Sequence, residues 1–139
     1  MKTLLLIFAC AVMLSCQQDD GSTPVQPVND NFDTSKAILV KMGMLEGVGH
    51  TVSGTVSLYD TNGVKVIILD PFFSQNGPDL KVYFSKDSGA KEYIRLGDLK
   101  STMGKQVYEV PAGTDINSYK YLHIWCEKFT VVFAIAEIK

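Results

Sequence analysis

The chain has 139 residues and a formal net charge of −2 at pH 7, which allows one domain with appendages and is too little for two. Its 13 basic residues form no cluster. Because phosphate contacts need concentrated positive charge, nucleic acid is excluded as a partner. Ordinary amounts of Gly, Pro and aromatic residues exclude collagen-like, coiled-coil and wholly disordered chains.

Residues 1–15 have the layout of a secretory signal peptide. Lys2 gives a positive start, and an apolar run follows from Leu4 to Leu14. A membrane-spanning helix needs about 20 apolar residues, so this run is too short to span a bilayer. It fits the hydrophobic region of a leader that is removed on export.

The end of this leader resembles a lipobox, the site cleaved by lipoprotein signal peptidase. Met13-Leu14-Ser15-Cys16 has a small residue before a cysteine, and Met13 replaces the more usual leucine. The resemblance implies that Cys16 becomes the lipidated N-terminus, with acyl chains of the palmitate type. Several chains on one residue anchor a protein stably in a membrane. The alternative is an ordinary leader with a chance cysteine.

Residues 16–35 form the lipidated cysteine and a polar stretch without hydrophobic period. We expect this stretch to be a flexible tether. Gln17-Gln18-Asp19-Asp20 resembles the acidic surface-export signal of some outer-membrane lipoproteins, although any solvated tether fits equally well. The predicted location is the cell envelope, at the outer membrane, with the periplasmic or surface face left open.

Residues 36–139 have a hydrophobic pattern of period two, which predicts strands. Val52, Val56 and Leu58 alternate with polar residues, and Asn62-Gly63 then suits a hairpin turn. Eight strands are predicted, over residues 37–45, 52–58, 64–69, 80–85, 93–96, 106–110, 119–126 and 130–138. The predicted fold is an all-β antiparallel sandwich or barrel.

Cys126 is the one cysteine left once the leader and the anchor are set aside, so it has no intramolecular disulfide partner. On a regular strand, His123 points to the opposite face, so the two cannot share one metal. His50, predicted to lie in a different strand, could approach Cys126. Two interpretations stay open for Cys126: a packed apolar residue, or a redox thiol or ligand. His50 is likewise either structural or a ligand.

Motifs of known enzyme classes are missing from the sequence. It has no Gly-rich phosphate loop, nucleophile elbow or HExxH motif. No Cys or His pair has the spacing of a zinc site, so no metal site is predicted. Whether the protein is an enzyme is left open.

Four groups of residues together resemble the DM-thirteen domain, a small extracellular module named for its association with DOMON domains. They are residues 49–56, residues 70–73 with 76–83, residues 96–100 with 104–108, and Ile124-Trp125-Cys126 with Phe129, Phe133 and Ala136. Ala134 stands where the family pattern suggests glycine. The resemblance covers about residues 37–138.

The resemblance implies a redox or electron-transfer role, with the family's characteristic cysteine, here Cys126, as a bare thiol or a haem ligand. His50 is the second candidate for cofactor binding, and an unidentified redox protein is the implied partner besides the membrane. The cofactor is left unknown, with haem as one possibility. The alternative function is a non-catalytic binding or structural module of the cell envelope.

Overall fold

A computed structural model describes residues 21–139. The predictions for residues 1–20, which include the leader and Cys16, lie outside the described residues. Over residues 21–139 the strands are Val28–Asn29 (β1), Ile38–Gly47 (β2), Val52–Thr61 (β3), Val64–Ser74 (β4), Leu80–Ser85 (β5), Tyr93–Asp98 (β6), Gly104–Glu109 (β7), Tyr121–Cys126 (β8) and Val131–Glu137 (β9). A single 3-10 turn, Thr34–Lys36, lies between β1 and β2. This part of the chain has no helix long and apolar enough to cross a membrane.

The strands form one sheet in the order β1-β7-β4-β3-β2-β9-β8-β5-β6. The sheet curls into a half-barrel, so the predicted all-β class is confirmed. Neighbouring strands are antiparallel, as expected, except that β1 pairs with β7 in parallel. All eight predicted strands are present, and β1 is the additional ninth.

The turn predicted between β3 and β4 is confirmed. Asn62 and Gly63 both have positive φ, at 52° and 87°, which the tight hairpin turn requires. The Asp60 carboxylate accepts a hydrogen bond from the Gly63 amide at 2.8 Å and fixes the turn.

Alternating residues of the strands fill the inside of the curl. The fully or almost fully buried side chains of this core include Val56, Leu58, Ile67, Leu69, Leu80, Val82, Phe84, Leu122, Ile124, Cys126, Ala134, Ala136 and Ile138. Burial of this apolar area is the main stabilising term of the fold. It also fixes the strand register, because a slip of one residue would turn each strand's apolar set outward.

The N-terminal stretch differs from the flexible tether expected for it. Val28 and Asn29 pair with Gly104 and Lys105, and the Asp30 carboxylate accepts from the Val107 amide at 2.9 Å. A side chain on Gly104 would lie 2.0 Å from the Val28 carbonyl oxygen, so glycine is needed for this close approach. Residues 21–30 are therefore held against the domain by backbone hydrogen bonds, which need no apolar side chains and leave little trace in the sequence pattern.

Candidate functional site around Cys126

Cys126 is the last residue of β8 and the one cysteine among residues 21–139. Its side chain is 0 % exposed, and its neighbours across the strands are Leu80 and Val131. The thiol donates a hydrogen bond to the carbonyl oxygen of Pro78 at 3.0 Å. Cys126 is therefore a buried thiol, satisfied by one weak hydrogen bond.

The carbonyl that accepts this bond belongs to the loop of residues 75–79, between β4 and β5. The Asp79 carbonyl accepts from the Glu127 amide at 3.1 Å, so the loop is also joined to the turn that follows β8. Within this loop, Gln75 and Asn76 are exposed to solvent, whereas Gly77 is buried. The loop covers the thiol at the end of β8.

Residues 21–23 in turn cover this loop. The amide and the hydroxyl of Thr23 both donate to the Gly77 carbonyl, at 3.3 and 3.1 Å. The Asp79 amide donates to the Gly21 carbonyl at 2.8 Å. Cys126 is therefore shielded by two layers, the 75–79 loop and the N-terminal segment that follows the expected lipid site.

His50 does not lie in a strand, which corrects the prediction. It lies in the bend between β2 and β3, and its ring stacks on Phe133 with centroids 3.6 Å apart and planes at 7°. A Cβ atom on Gly77 would lie 2.6 Å from the same Phe133 ring. A phenylalanine ring, rather than the Cys126 thiol, thus lies against His50. A cofactor-binding role for His50 stays a prediction.

The His50 ring is incompletely satisfied. Its Nδ1 atom is buried and has no hydrogen-bond partner within residues 21–139. Because a buried polar atom without a partner costs free energy, this nitrogen is a weak point of the bend.

Comparison with known families assigns the domain. A family model described as electron transfer DM13 matches residues 44–138. The chain belongs to the DM13 family. No curated protein and no solved structure matches it. The match begins within β2 and ends just after β9, so it includes Cys126 and His50 and leaves β1 outside.

Haem ligation does not fit Cys126 as the DM13 domain holds it. The thiol is fully buried, and it already donates a hydrogen bond to a backbone carbonyl. Five cavities at the surface of residues 21–139, with volumes of about 260–400 Å³, are lined by neither Cys126 nor His50. An axial sulfur ligand needs a free face toward the iron, which this arrangement does not offer. Residues 21–139 also contain no group of three or more His, Cys, Asp or Glu side chains that could hold a metal.

His123 is another buried residue of this DM13 domain, and no pattern in the sequence places it in a hydrogen-bond network. It is 0 % exposed. Its Nδ1 lies 3.1 Å from the Ser85 hydroxyl, and its Nε2 lies 3.0 Å from the Ser88 carbonyl. Burial lowers the pKa of His123 below its ordinary value, although the Ser88 carbonyl and Asp87 oppose this. His123 and Cys126 thus contact different loops.

An aromatic stack lies across β6, β5 and β8. Tyr83 is 4 % exposed and stacks on Tyr93 with centroids 4.1 Å apart and planes at 11°. On its other side lies Trp125, with centroids 5.8 Å apart and planes at 17°. Strand alternation puts Tyr83 on the face opposite Val82 and Phe84, but the sequence alone does not show which strands bring the three rings together.

The hydroxyl of Tyr83 is hydrogen-bonded to a carboxylate. It donates to Glu127 Oε1 at 2.7 Å, and Arg95 Nε lies 3.1 Å from the same oxygen. Burial, followed by the Glu127 carboxylate, raises the pKa of Tyr83 above its ordinary value. The phenol is therefore held protonated, with a base at hydrogen-bond distance.

Proposed function

We propose that this DM13 domain is an electron-transfer module of the cell envelope whose redox group is the Cys126 thiol. The observation that carries the proposal is the position of the thiol. It lies at the end of β8, and its one hydrogen bond goes to the 75–79 loop. Movement of this loop would expose the sulfur while the paired strands of the barrel stay in place.

This position suits a thiol that reacts only when a partner engages it. A thiol reacts only where its sulfur is accessible to the partner. In the closed state the Cys126 proton is bonded to Pro78 and water is kept away. A redox partner protein that displaces the 75–79 loop would remove both restraints, whereas small oxidants in solution would not.

The experiment compares thiol titration, absorption and function. We expect the native protein to react slowly with a thiol reagent, and the unfolded protein to react at one equivalent. Cys126→Ala should fold but fail to restore function to a deletion strain. Ile124→Val, which removes a similar buried volume from the same strand, is the matched control and should restore function. A folded Cys126→Ala protein that restores function would defeat the proposal.

The second candidate function is a non-catalytic binding or structural module, and the burial of Cys126 favours it. A fully buried thiol with a carbonyl acceptor is also what a packed cysteine looks like. Under this alternative the thiol is silent in the native state, the purified protein is colourless, and Cys126→Ala costs stability alone.

The proposed attachment is a lipid on Cys16 after removal of residues 1–15, with the membrane as the first partner. Support comes from the leader and the lipobox-like residues Leu14-Ser15-Cys16. Cys16→Ser should leave the precursor unprocessed and unlipidated. Mass spectrometry of the wild-type mature protein tests this directly, and an unacylated N-terminus at another residue would show that the anchor is absent.

A further inference from the structure

The stack of Tyr93, Tyr83 and Trp125 connects the surface of the domain to a buried phenol. Tyr93 is 47 % exposed, whereas Tyr83 beneath it is 4 % exposed. The rings of this pair are nearly parallel and in van der Waals contact. Stacked aromatic rings share a missing electron between them, which makes its removal easier than from an isolated ring. An electron can therefore leave Tyr83 through Tyr93 without the buried ring meeting the acceptor.

A phenol that loses an electron must also lose its proton, because the phenol radical cation is a very strong acid. At Tyr83 the proton has a place to go, since the hydroxyl already donates to Glu127 Oε1 at 2.7 Å. Arg95 Nε lies 3.1 Å from that oxygen and holds the carboxylate in place. The proton moves within an existing hydrogen bond and does not have to cross the protein.

Tyr108 shows that this arrangement is not common to the buried tyrosines of the domain. It is also 4 % exposed, and its hydroxyl also donates at 2.7 Å, but to the amide oxygen of Gln106. An amide oxygen is a hydrogen-bond acceptor and a very weak base. Two equally buried phenols therefore differ in whether a base is in place.

We propose that Tyr83 is a one-electron redox residue of this domain, with Glu127 as its proton acceptor and Tyr93 as its outlet. In the oxidation step the O–H bond of Tyr83 breaks. One electron passes by way of Tyr93 to a high-potential, metal-centred one-electron acceptor on a partner, and the proton goes to Glu127. A one-electron donor of lower potential then reduces the phenoxyl, and Glu127 returns the proton. The inference rests on the proposed electron-transfer function and does not require Cys126 to be the donor.

The test oxidises the mature protein with photogenerated tris(bipyridine)ruthenium(III) and follows the tyrosyl radical by rapid-freeze electron paramagnetic resonance. We expect wild-type protein to form a radical that Tyr83→Phe abolishes and Tyr108→Phe leaves unchanged. Glu127→Gln should slow its formation about 100-fold, the range typical of a lost proton acceptor. A radical that persists in Tyr83→Phe, or that disappears in Tyr108→Phe, would overturn the inference. So would an unchanged rate in Glu127→Gln.

A solvent isotope measurement on the wild-type protein needs no variant to fold. Because the electron and the proton leave together, the radical should form more slowly in D2O than in H2O, and equal rates would count against the inference. Cys126→Ala separates this proposal from the previous one. If the radical forms normally while that variant also restores cellular function, the thiol proposal fails and the Tyr83 proposal stands. If the radical is absent from the wild type, the Tyr83 proposal fails while the thiol proposal stays open.

Discussion

His123 and Cys126 lie three residues apart on β8 and are both fully buried, but they are held in opposite ways. His123 has a partner at each ring nitrogen, Ser85 and Ser88. Cys126 has one sulfur hydrogen bond, to Pro78. A buried polar group with every partner in place rigidifies its surroundings, whereas one with a single weak partner can be released at small cost. His123 therefore has a structural role, whereas Cys126 is the residue whose hydrogen bond and burial can be lost at small cost.

The loops over the two residues differ in the same way. Asp87 fixes the loop above His123 by accepting from the amides of Gly89, Lys91 and Glu92. The 75–79 loop over Cys126 is held mainly by segments distant in the sequence, through the bonds from Thr23 and to Gly21, and through bonds to Thr51 and Glu127. One loop is closed chiefly by its own residues, and the other chiefly by distant segments.

The largest effect is expected from His123→Ala, which should lower the free energy of unfolding by about 4 kcal/mol. The substitution leaves a cavity and deprives Ser85 and Ser88 of a partner. Urea denaturation measures the change. His50→Ala is the matched control, since its ring has an orphaned nitrogen, and it should cost clearly less. Equal losses for the two histidines would remove the basis of the structural assignment.

Cys126→Ala should cost about 2 kcal/mol, from the lost buried volume and the unpartnered Pro78 carbonyl. The apolar flanks of Cys126 suggest from sequence alone that Cys126→Ser would cost more than Ala, because a buried hydroxyl needs a partner. The structure supplies that partner in Pro78. We therefore expect Cys126→Ser to be no less stable than Cys126→Ala, and the opposite order in urea titrations would mean that Pro78 does not accept from this position.

The stability of the domain should fall as the pH is lowered through the range just below 6.5. Burial depresses the pKa of His123 from its ordinary 6.5, so below that pH the unfolded chain takes up a proton that the folded state resists. The free energy of unfolding therefore rises with pH there, by at most about 1.4 kcal/mol per pH unit for one proton. His123→Gln should flatten the profile of unfolding midpoints between pH 5.5 and 7. If stability depends on pH equally steeply in that variant, a group other than His123 causes the dependence.

The smallest effect is expected from Thr23→Val, which should lower the free energy of unfolding by about 1 kcal/mol. The Gly77 carbonyl then accepts from the Thr23 amide alone, because the hydroxyl donor is lost. This loss should appear mainly as local opening, with about fivefold faster reaction of the native Cys126 thiol. Thr114→Val removes a comparable bond, from the Thr114 hydroxyl to the Pro111 carbonyl, and should leave thiol reactivity unchanged. Equal acceleration in both variants would indicate general loosening rather than release of the 75–79 loop.

The strands could be predicted because alternation along a half-buried strand is a local signal. Val52 to Leu58 and Leu80 to Phe84 show it plainly, and both lie in strands. β1 could not be predicted, since two residues without apolar alternation pair through backbone groups alone. The prediction that His50 lies in a strand was wrong. The alternation of apolar residues appears to continue across Gly49, but the positive φ of Gly49, 68°, ends the extended backbone there.

The candidate site could be predicted one residue at a time but not as an arrangement. The single thiol of Cys126 is visible in the sequence. Its acceptor Pro78 is 48 residues away, and the Glu127 partner of Tyr83 is 44 residues away. These contacts follow from the β5–β8 pairing, which is a property of the topology. Long-range pairing of this kind has no short-range signature.

In a lipoprotein attached through Cys16, the docking of residues 21–30 would limit how far the domain stands from a bilayer. A free chain from Cys16 to Ser35 would span up to about 65 Å when extended, whereas the stretch from Cys16 to Gly21 spans at most about 18 Å. Because Gly21 is bonded to Asp79, the domain of a lipoprotein attached through Cys16 would be held close to the lipid headgroups, with its Cys126 end turned toward them. A redox partner embedded in the same membrane would then reach that end by lateral diffusion, while one arriving from the aqueous side would meet the opposite end first.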